Sequence, residues 1–131
     1  VDQALERLGA IDILVNNAAH QASFKEIEDI SDDEWELTFK VNIHAMFYLT
    51  KAAVPHMKPG SAIINTASIA GATGYATAAA YTASKAAILE FSRSLRSEAR
   101  AYGVKISVAC PGYVNSGIFA QDRIVVEKEH Q

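Results

Sequence analysis

Ala62-Ile-Ile-Asn-Thr66 is an apolar, Ile-rich run too short for a helix, and it is followed directly by Ala67-Ser68. Two similar runs flank it, Ile11-Asp-Ile-Leu-Val15 before and Val104-Lys-Ile-Ser-Val-Ala-Cys110 after. Each reads as a strand buried on both faces, because its apolar residues run together instead of alternating with polar ones. Long helical stretches separate the three. Strands of this kind alternating with helices predict a parallel sheet covered on both sides.

The first long helix is predicted to begin near Ser31, where Ser31-Asp-Asp-Glu34 has capping-box spacing, so that the serine oxygen accepts a free backbone N–H and Glu34 reaches back. Trp35, Phe39, Ile43, Met46 and Phe47 then recur at helical spacing until Pro55, Pro59 and Gly60. A second long helix is predicted from about Ala79 to Tyr102, with Ile88, Phe91, Leu95 and Ala99 on its apolar face and Gly103 as C-cap. Residues 2–8 read as the end of a further helix. The seven glycines stand at 9, 60, 71, 74, 103, 112 and 117, and none forms a phosphate-binding cluster between a strand and a helix. The expected fold is therefore α/β, the C-terminal half of a doubly wound (Rossmann-type) parallel sheet with three strands and two long helices, and residues 1–131 are expected to form one partial domain. The remaining half would take about three β–α units, roughly 90 residues.

Composition excludes several classes. Half of the residues are hydrophobic and 21% are charged, which fits a globular chain and not a disordered one. The net charge is −3 and the 12 Lys and Arg are scattered, so no nucleic-acid surface is expected. No apolar stretch approaches the ~20 residues that span a bilayer, so no membrane partner is expected. A single cysteine, Cys110, rules out an internal disulfide and is expected to be a buried core thiol. The four histidines, at 20, 44, 56 and 130, lack metal-ligand spacing, and no metal is expected. A chain without disulfides or a signal segment is expected in the cytoplasm, although it starts at Val1 and not at Met.

The chemistry centres on Tyr81-Thr-Ala-Ser-Lys85. On a helix, residues four apart share a face, so a phenol and an ammonium are held side by side. A free tyrosine is roughly 0.1% ionised at pH 7, and lowering its pKa to about 7 takes about 4 kcal/mol. A cation near ~4 Å in an effective dielectric of ~20 supplies about that much. The pair would then be a general acid/base for a carbonyl or alcohol. With five Tyr and seven Lys, the spacing alone arises by chance about one time in four, so context must decide.

Ser68 follows the second strand, where ligands of open α/β sheets bind, and can donate to a substrate oxygen; an ordinary turn serine or helix cap is equally compatible. Asn42 stands mid-helix among Phe39, Val41, Ile43 and Phe47. Its amide reads either as catalytic or as a local kink device. Asn16-Asn-Ala-Ala19 and Pro111-Gly-Tyr-Val-Asn-Ser116 end the other two strands at the same sheet edge. Their small residues, Ala18 and Gly112 among them, permit close approach of a ligand, and Ser116 offers a hydroxyl. His20 and Gln21 either border the pocket or lie in a solvent-facing loop.

With these pieces in this order, and 13 residues from Ser68 to Tyr81, residues 1–118 resemble the short-chain dehydrogenase/reductase family. The resemblance implies NAD or NADP as cofactor and a small-molecule carbonyl or secondary alcohol as substrate. It makes Tyr81 the proton donor or acceptor. Lys85 lowers the Tyr81 pKa and, with Tyr81, meets the nicotinamide ribose. Ser68 polarises the substrate oxygen, and Asn42 holds a water that links Lys85 to a proton relay. It places Asn16 and Ala18 near the cofactor ribose, with Gly112, Val114 and Ser116 against the nicotinamide. Residues 117–131 fall where the family has a substrate lid, with Tyr113, Ile118 and Phe119 as an apolar wall. The long helices imply a homodimer or homotetramer. Ala19 stands where the family usually has Gly, and Ser116 where it has Thr. Asn16 to Ala67 is similar to the glucose/ribitol-type branch, whereas the chain from Gly71 onward is closer to general ketone or acyl reductases. Two other readings remain beside the enzyme: a catalytically silent fragment that binds nicotinamide cofactor poorly on its own, and a non-enzymatic interaction module that reuses the fold. A fold-only relative would have no need of all four of Asn42, Ser68, Tyr81 and Lys85.

Overall fold

The computed structural model describes residues 1–114, so Ser116 and the expected lid at 117–131 lie outside the described residues. Helix α1 (Asp2–Leu8) ends on Gly9, and strand β1 (Ile13–Asn16) follows. Helix α2 (Asp32–Phe39) runs through a π-helical turn, Lys40–His44, into α3 (Ala45–Ala53). Then come β2 (Ala62–Thr66), the short helix α4 (Ile69–Thr73), the long helix α5 (Ala79–Ala99) and β3 (Lys105–Ala109). Among the described residues, the three strands form one parallel sheet in the order β1-β2-β3. The register pairs Asn16 with Asn65 and Thr66 with Ala109, so all three strands end at one edge. No helix of the described residues is long and apolar enough to cross a membrane.

The central strand carries the core. Ile63, fully buried, packs with Ala53, Met57, Ala99, Val104 and Ile106. A second cluster joins Met46, Ala67 and Ile88. Between them runs a buried polar ladder. Asn16 donates to the Asn65 side chain (2.9 Å), Asn65 donates to Ser92 Oγ (3.0 Å), and Ser92 donates to the Ile88 carbonyl (2.6 Å). Buried amides carry a desolvation cost that such bonds offset, so the ladder stitches β1, β2 and α5 into one register.

The end of α5 agrees with the sequence: a 3₁₀ turn, Arg100–Tyr102, closes on Gly103 at φ 73°, the left-handed conformation glycine adopts without strain. The first long helix differs in three ways. Ser31 does cap it, accepting from the Glu34 N–H at 3.1 Å, but the Glu34 carboxylate turns away to His20. The helix is interrupted by the π turn, in which the Ala45 N–H reaches back five residues to the Lys40 carbonyl. Its buried stripe is also rotated. Thr38, Asn42, Met46, Thr50 and Ala53 face inward, while Trp35 is 44% and Phe47 43% exposed. The facing stripe of α5 is Ala80, Ser84, Ile88 and Ser92. Small and hydrogen-bonded side chains make up most of the two stripes, with Met46 and Ile88 as their large apolar members, and Trp35 and Phe47 are left outside. Cys110 is exposed and not a core residue; it lies one residue past β3, among the described residues an outer strand of the sheet.

Helix α4 packs so closely on α5 that a Cβ at Gly71 would sit 2.6 Å from the Lys85 backbone carbon and 2.7 Å from the Ala86 nitrogen. Gly71→Ala is expected to cost about 1–3 kcal/mol of stability by overpacking, read as a lower urea midpoint; an unchanged midpoint would show that the two helices do not constrain one another.

Candidate active site

The four central residues converge at the sheet edge, each placed by a different element. Ser68 follows β2 and caps α4, its Oγ accepting the Ala70 N–H at 3.2 Å. The helix-cap reading is thus satisfied, and the same hydroxyl also hydrogen-bonds the Tyr81 side chain. One group serves both roles, because a serine oxygen has two lone pairs besides its proton. Tyr81 and Lys85 lie in the first turns of α5. Lys85 is only 2% exposed; its Nζ donates to the Thr66 carbonyl at 3.0 Å and stands 5.5 Å from the centre of the Tyr81 ring.

The electrostatics of the pair depart from expectation. Burial pushes the Tyr81 phenol above its ordinary value, and the Ser68 hydrogen bond pulls only partly the other way. Burial lowers the Lys85 ammonium to about 8. The lowering of Tyr81 expected from Lys85 is not made in this state, since the ammonium is held on a backbone carbonyl and faces the ring instead of the hydroxyl oxygen.

Asn42 lies in the π turn, 2% exposed, and all of its bonds are internal. Its Oδ1 accepts from the His20 N–H at 2.7 Å, and its Nδ2 donates to the His20 carbonyl and to Ser84 Oγ, both at 2.9 Å. Ser84 donates onward to the Tyr81 carbonyl at 2.7 Å. The kink-device reading of Asn42 is therefore realised, and the same amide ties the π turn to the helix that carries Tyr81. His20 is not solvent-facing: its side chain is 17% exposed, and Nε2 lies 2.6 Å from Glu34 Oε1.

The residues expected around a cofactor are less alike. Asn16 turns its amide nitrogen into the sheet, to Asn65 and to Thr50 Oγ1 at 3.3 Å, and its buried Oδ1 has no partner. Ala18 is exposed at the strand end, Gly112 lies open beside Ile69, and Val114 is 54% exposed. Among the described residues no group of three or more His, Cys, Asp or Glu comes together as a metal site. Ser84, Thr66 and Gly71 are functional neighbours that sequence reasoning passed over. A mid-helix serine inside Tyr81–Lys85 was a readable signal, since serine is a poor helix former. The backbone carbonyl of Thr66 left no signal.

The family model described as short chain dehydrogenase matches residues 1–125. Over 114 residues the chain is 42% identical to the glucose and ribitol dehydrogenase of Daucus carota, covering 87% of this chain and 39% of that protein. Over 112 residues it is 41% identical to the chloroplastic NADPH-dependent aldehyde reductase 1 of Arabidopsis thaliana, covering 86% of this chain and again 39% of the relative. A short chain dehydrogenase/reductase from Burkholderia phymatum, solved in complex with NAD, superposes with a TM-score of 0.85 at 30% identity, over 99% of this chain and 49% of that one. The chain thus spans about two fifths of the length of the curated relatives it matches.

The lowered Lys85 pKa sets a pH dependence. Between about pH 8 and 10.5 the unfolded lysine keeps a proton that the folded one has lost, so stability rises with pH across that window, by about 3 kcal/mol in full. Tyr81, raised from 10.0, acts in the opposite sense only above about pH 10, where the folded phenol keeps its proton. Chemical denaturation from pH 7 to 10 is expected to show this rise, and Lys85→Met to flatten it; a slope that survives the substitution would assign it to another group.

Proposed function

The chain belongs to the short-chain dehydrogenase family, and from that membership we propose that it carries the catalytic end of an NAD(P)-dependent oxidoreductase acting on a small carbonyl or secondary alcohol. The observation that carries the proposal is the convergence of the Ser68 hydroxyl, the Tyr81 phenol and the buried Lys85 ammonium at the carboxyl edge of the sheet.

The residues present fit the nicotinamide end of such a cofactor. Lys85 gives one of its three protons to Thr66 O, leaving donors for ribose hydroxyls, and Ala18 and Gly112 leave room at the neighbouring strand ends. In this reading Val114 flanks the ring, and the oxygen of Asn16 is the group left for a ligand or water on that side. When bound, the nicotinamide supplies or accepts the hydride and, oxidised, adds a positive charge beside the phenol. NADPH is in the name of one relative and NAD in the complex of one structural neighbour.

In the reductive direction Ser68 donates to the substrate oxygen, and Tyr81 gives its proton to that oxygen as the carbon is reduced. Lys85, whose ammonium in this state is bonded to the Thr66 carbonyl and faces the Tyr81 ring, would restore the phenol by turning a proton toward the phenolate oxygen, directly or through a bound hydroxyl. In the oxidative direction each proton moves the other way. The Asn42 amide is used by His20 and Ser84, so a water from which Lys85 is recharged would fall to backbone carbonyls of the π turn and not to that side chain. The sugar-alcohol and aldehyde names of the relatives favour polyols and aldehydes as first substrates to assay. Trp35, Phe47 and Tyr48, exposed on α2 and α3, suit burial between subunits of a homodimer or homotetramer.

In the protein that carries this chain in its natural context, Tyr81→Phe is expected to lower kcat by about 10²–10⁴-fold, followed by reduced-nicotinamide absorbance, with cofactor affinity nearly unchanged. Undiminished turnover would remove Tyr81 from its assigned role.

A further inference from the structure

We propose that the His20–Glu34 pair is a positioning device for the proton-transfer centre, acting through Asn42 on the turn that carries Tyr81. The inference rests on the oxidoreductase reading of the site and adds two residues to it.

The strap after β1, residues 17–26, has no helix or strand of its own. Two of its residues, His20 and Phe24, are tied to parts of the chain that lead to Tyr81. At His20 the peptide is gripped from both sides by one amide: Asn42 Oδ1 accepts the His20 N–H, and Asn42 Nδ2 donates to the His20 carbonyl. The same Nδ2 donates to Ser84, whose hydroxyl donates to the Tyr81 carbonyl. At Phe24 the strap's N–H donates to the Thr77 carbonyl at 2.8 Å, four residues before Tyr81. Thr77 is a β-branched residue at φ 65°, a strained conformation that its surroundings must hold in place. The strap thus ties the π turn to the entry of α5, and Tyr81 lies between the two ties.

The imidazole fixes the strap at its gripped residue. An ionised Glu34 can only accept, so Nε2–H of His20 donates to Oε1 at 2.6 Å. The side chains are 17% and 20% exposed, a setting in which a charge-assisted bond is screened less than at the surface. Thr38 donates to the same Oε1 at 3.4 Å and holds the carboxylate against α2. If the side-chain clamp is lost, the His20 peptide is free to rotate, and Asn42 then loses two of its three partners. This link explains why Glu34 leaves the capping position that its spacing from Ser31 offers. His20 touches neither Tyr81 nor Lys85, so its effect is one of placement.

The test uses the protein with residues 1–131 in their natural context. His20→Ala and Glu34→Ala are each expected to lower kcat about 10- to 100-fold, with KM for the cofactor nearly unchanged. The double variant should be no worse than either single one, because the two side chains act as a unit. His20→Gln, whose amide can still donate to Glu34, should recover most of the lost rate. Independently of turnover, the side-chain amide protons of Asn42 should exchange slowly with solvent in the parent and in His20→Gln, and fast in both alanine variants. Should His20→Ala fail to fold, Glu34→Met, which leaves the imidazole in place, carries the same two expectations. Undiminished kcat with slow Asn42 exchange in the alanine variants, or strictly additive losses, would overturn the proposal. The parent protein and Tyr81→Phe run in parallel separate the two readings: a parent with no nicotinamide-dependent turnover overturns the oxidoreductase assignment, whereas an active parent and an inactive Tyr81→Phe beside an unaffected His20→Ala overturn the positioning role alone.

Discussion

A lysine that is 2% exposed must find an acceptor, and Lys85 finds the carbonyl of Thr66 at the last position of the central strand. The site depends on that bond. It pins the first turns of α5 over the end of β2, where the chain leaves the sheet through Ala67 and Ser68. With α5 held there, Tyr81 meets the Ser68 hydroxyl, and α4, capped by that same serine, must lie against Lys85 with only a hydrogen atom at Gly71 between the backbones. The energetic cost is visible in the ammonium itself, whose proton is held less tightly than in water.

The same economy runs through the interior. The seam between α5 and the α2–α3 helix sets the Asn42–Ser84 hydrogen bond beside the apolar cluster of Met46, Ala67 and Ile88, and the sheet is stitched to α5 by Asn65 and Ser92. A seam of leucines would bury more apolar area. It would not hold one register, because apolar contacts are non-directional, whereas a buried amide without its partner costs enough to exclude a slipped arrangement. Positional accuracy at Tyr81 is thereby drawn from the hydrogen bonds of residues that never touch a substrate. The π turn belongs to this arrangement: by inserting one residue into the helix it brings Asn42 onto the inner stripe, where its amide reaches both Ser84 and the strap.

Much of this was legible in the sequence wherever the cause is local. The three apolar runs are strands within one or two residues of their expected ends, Ser31 caps its helix, and Gly103 closes α5. Apolar runs, hydroxyl caps and left-handed glycines act over a few residues, so they can be read there. The nature of the seam could not be read in this way. Trp35 and Phe47 have the spacing of a core face and lie outside, because which stripe turns inward is decided by the helix it meets. Helix α4 is too short to have a period, and it exists because Ser68 caps it and α5 supports it. Cys110 looked buried from its apolar neighbours and is exposed just past the end of β3, among the described residues an outer strand of the sheet.

The site divides along the same line. The sequence by itself determined that a phenol and an ammonium share one helix face, that a serine ends the central strand, and that small residues end its neighbours, since each follows from backbone period and residue type. Only the tertiary structure decided how those groups act on one another: Lys85 on the Thr66 carbonyl, Tyr81 raised by burial and bonded to Ser68, and Asn42 gripping His20, whose imidazole is held by Glu34. Those relations join residues between 13 and 22 positions apart. Distance and desolvation across such separations are set by packing, and packing is not written in any local stretch of the chain.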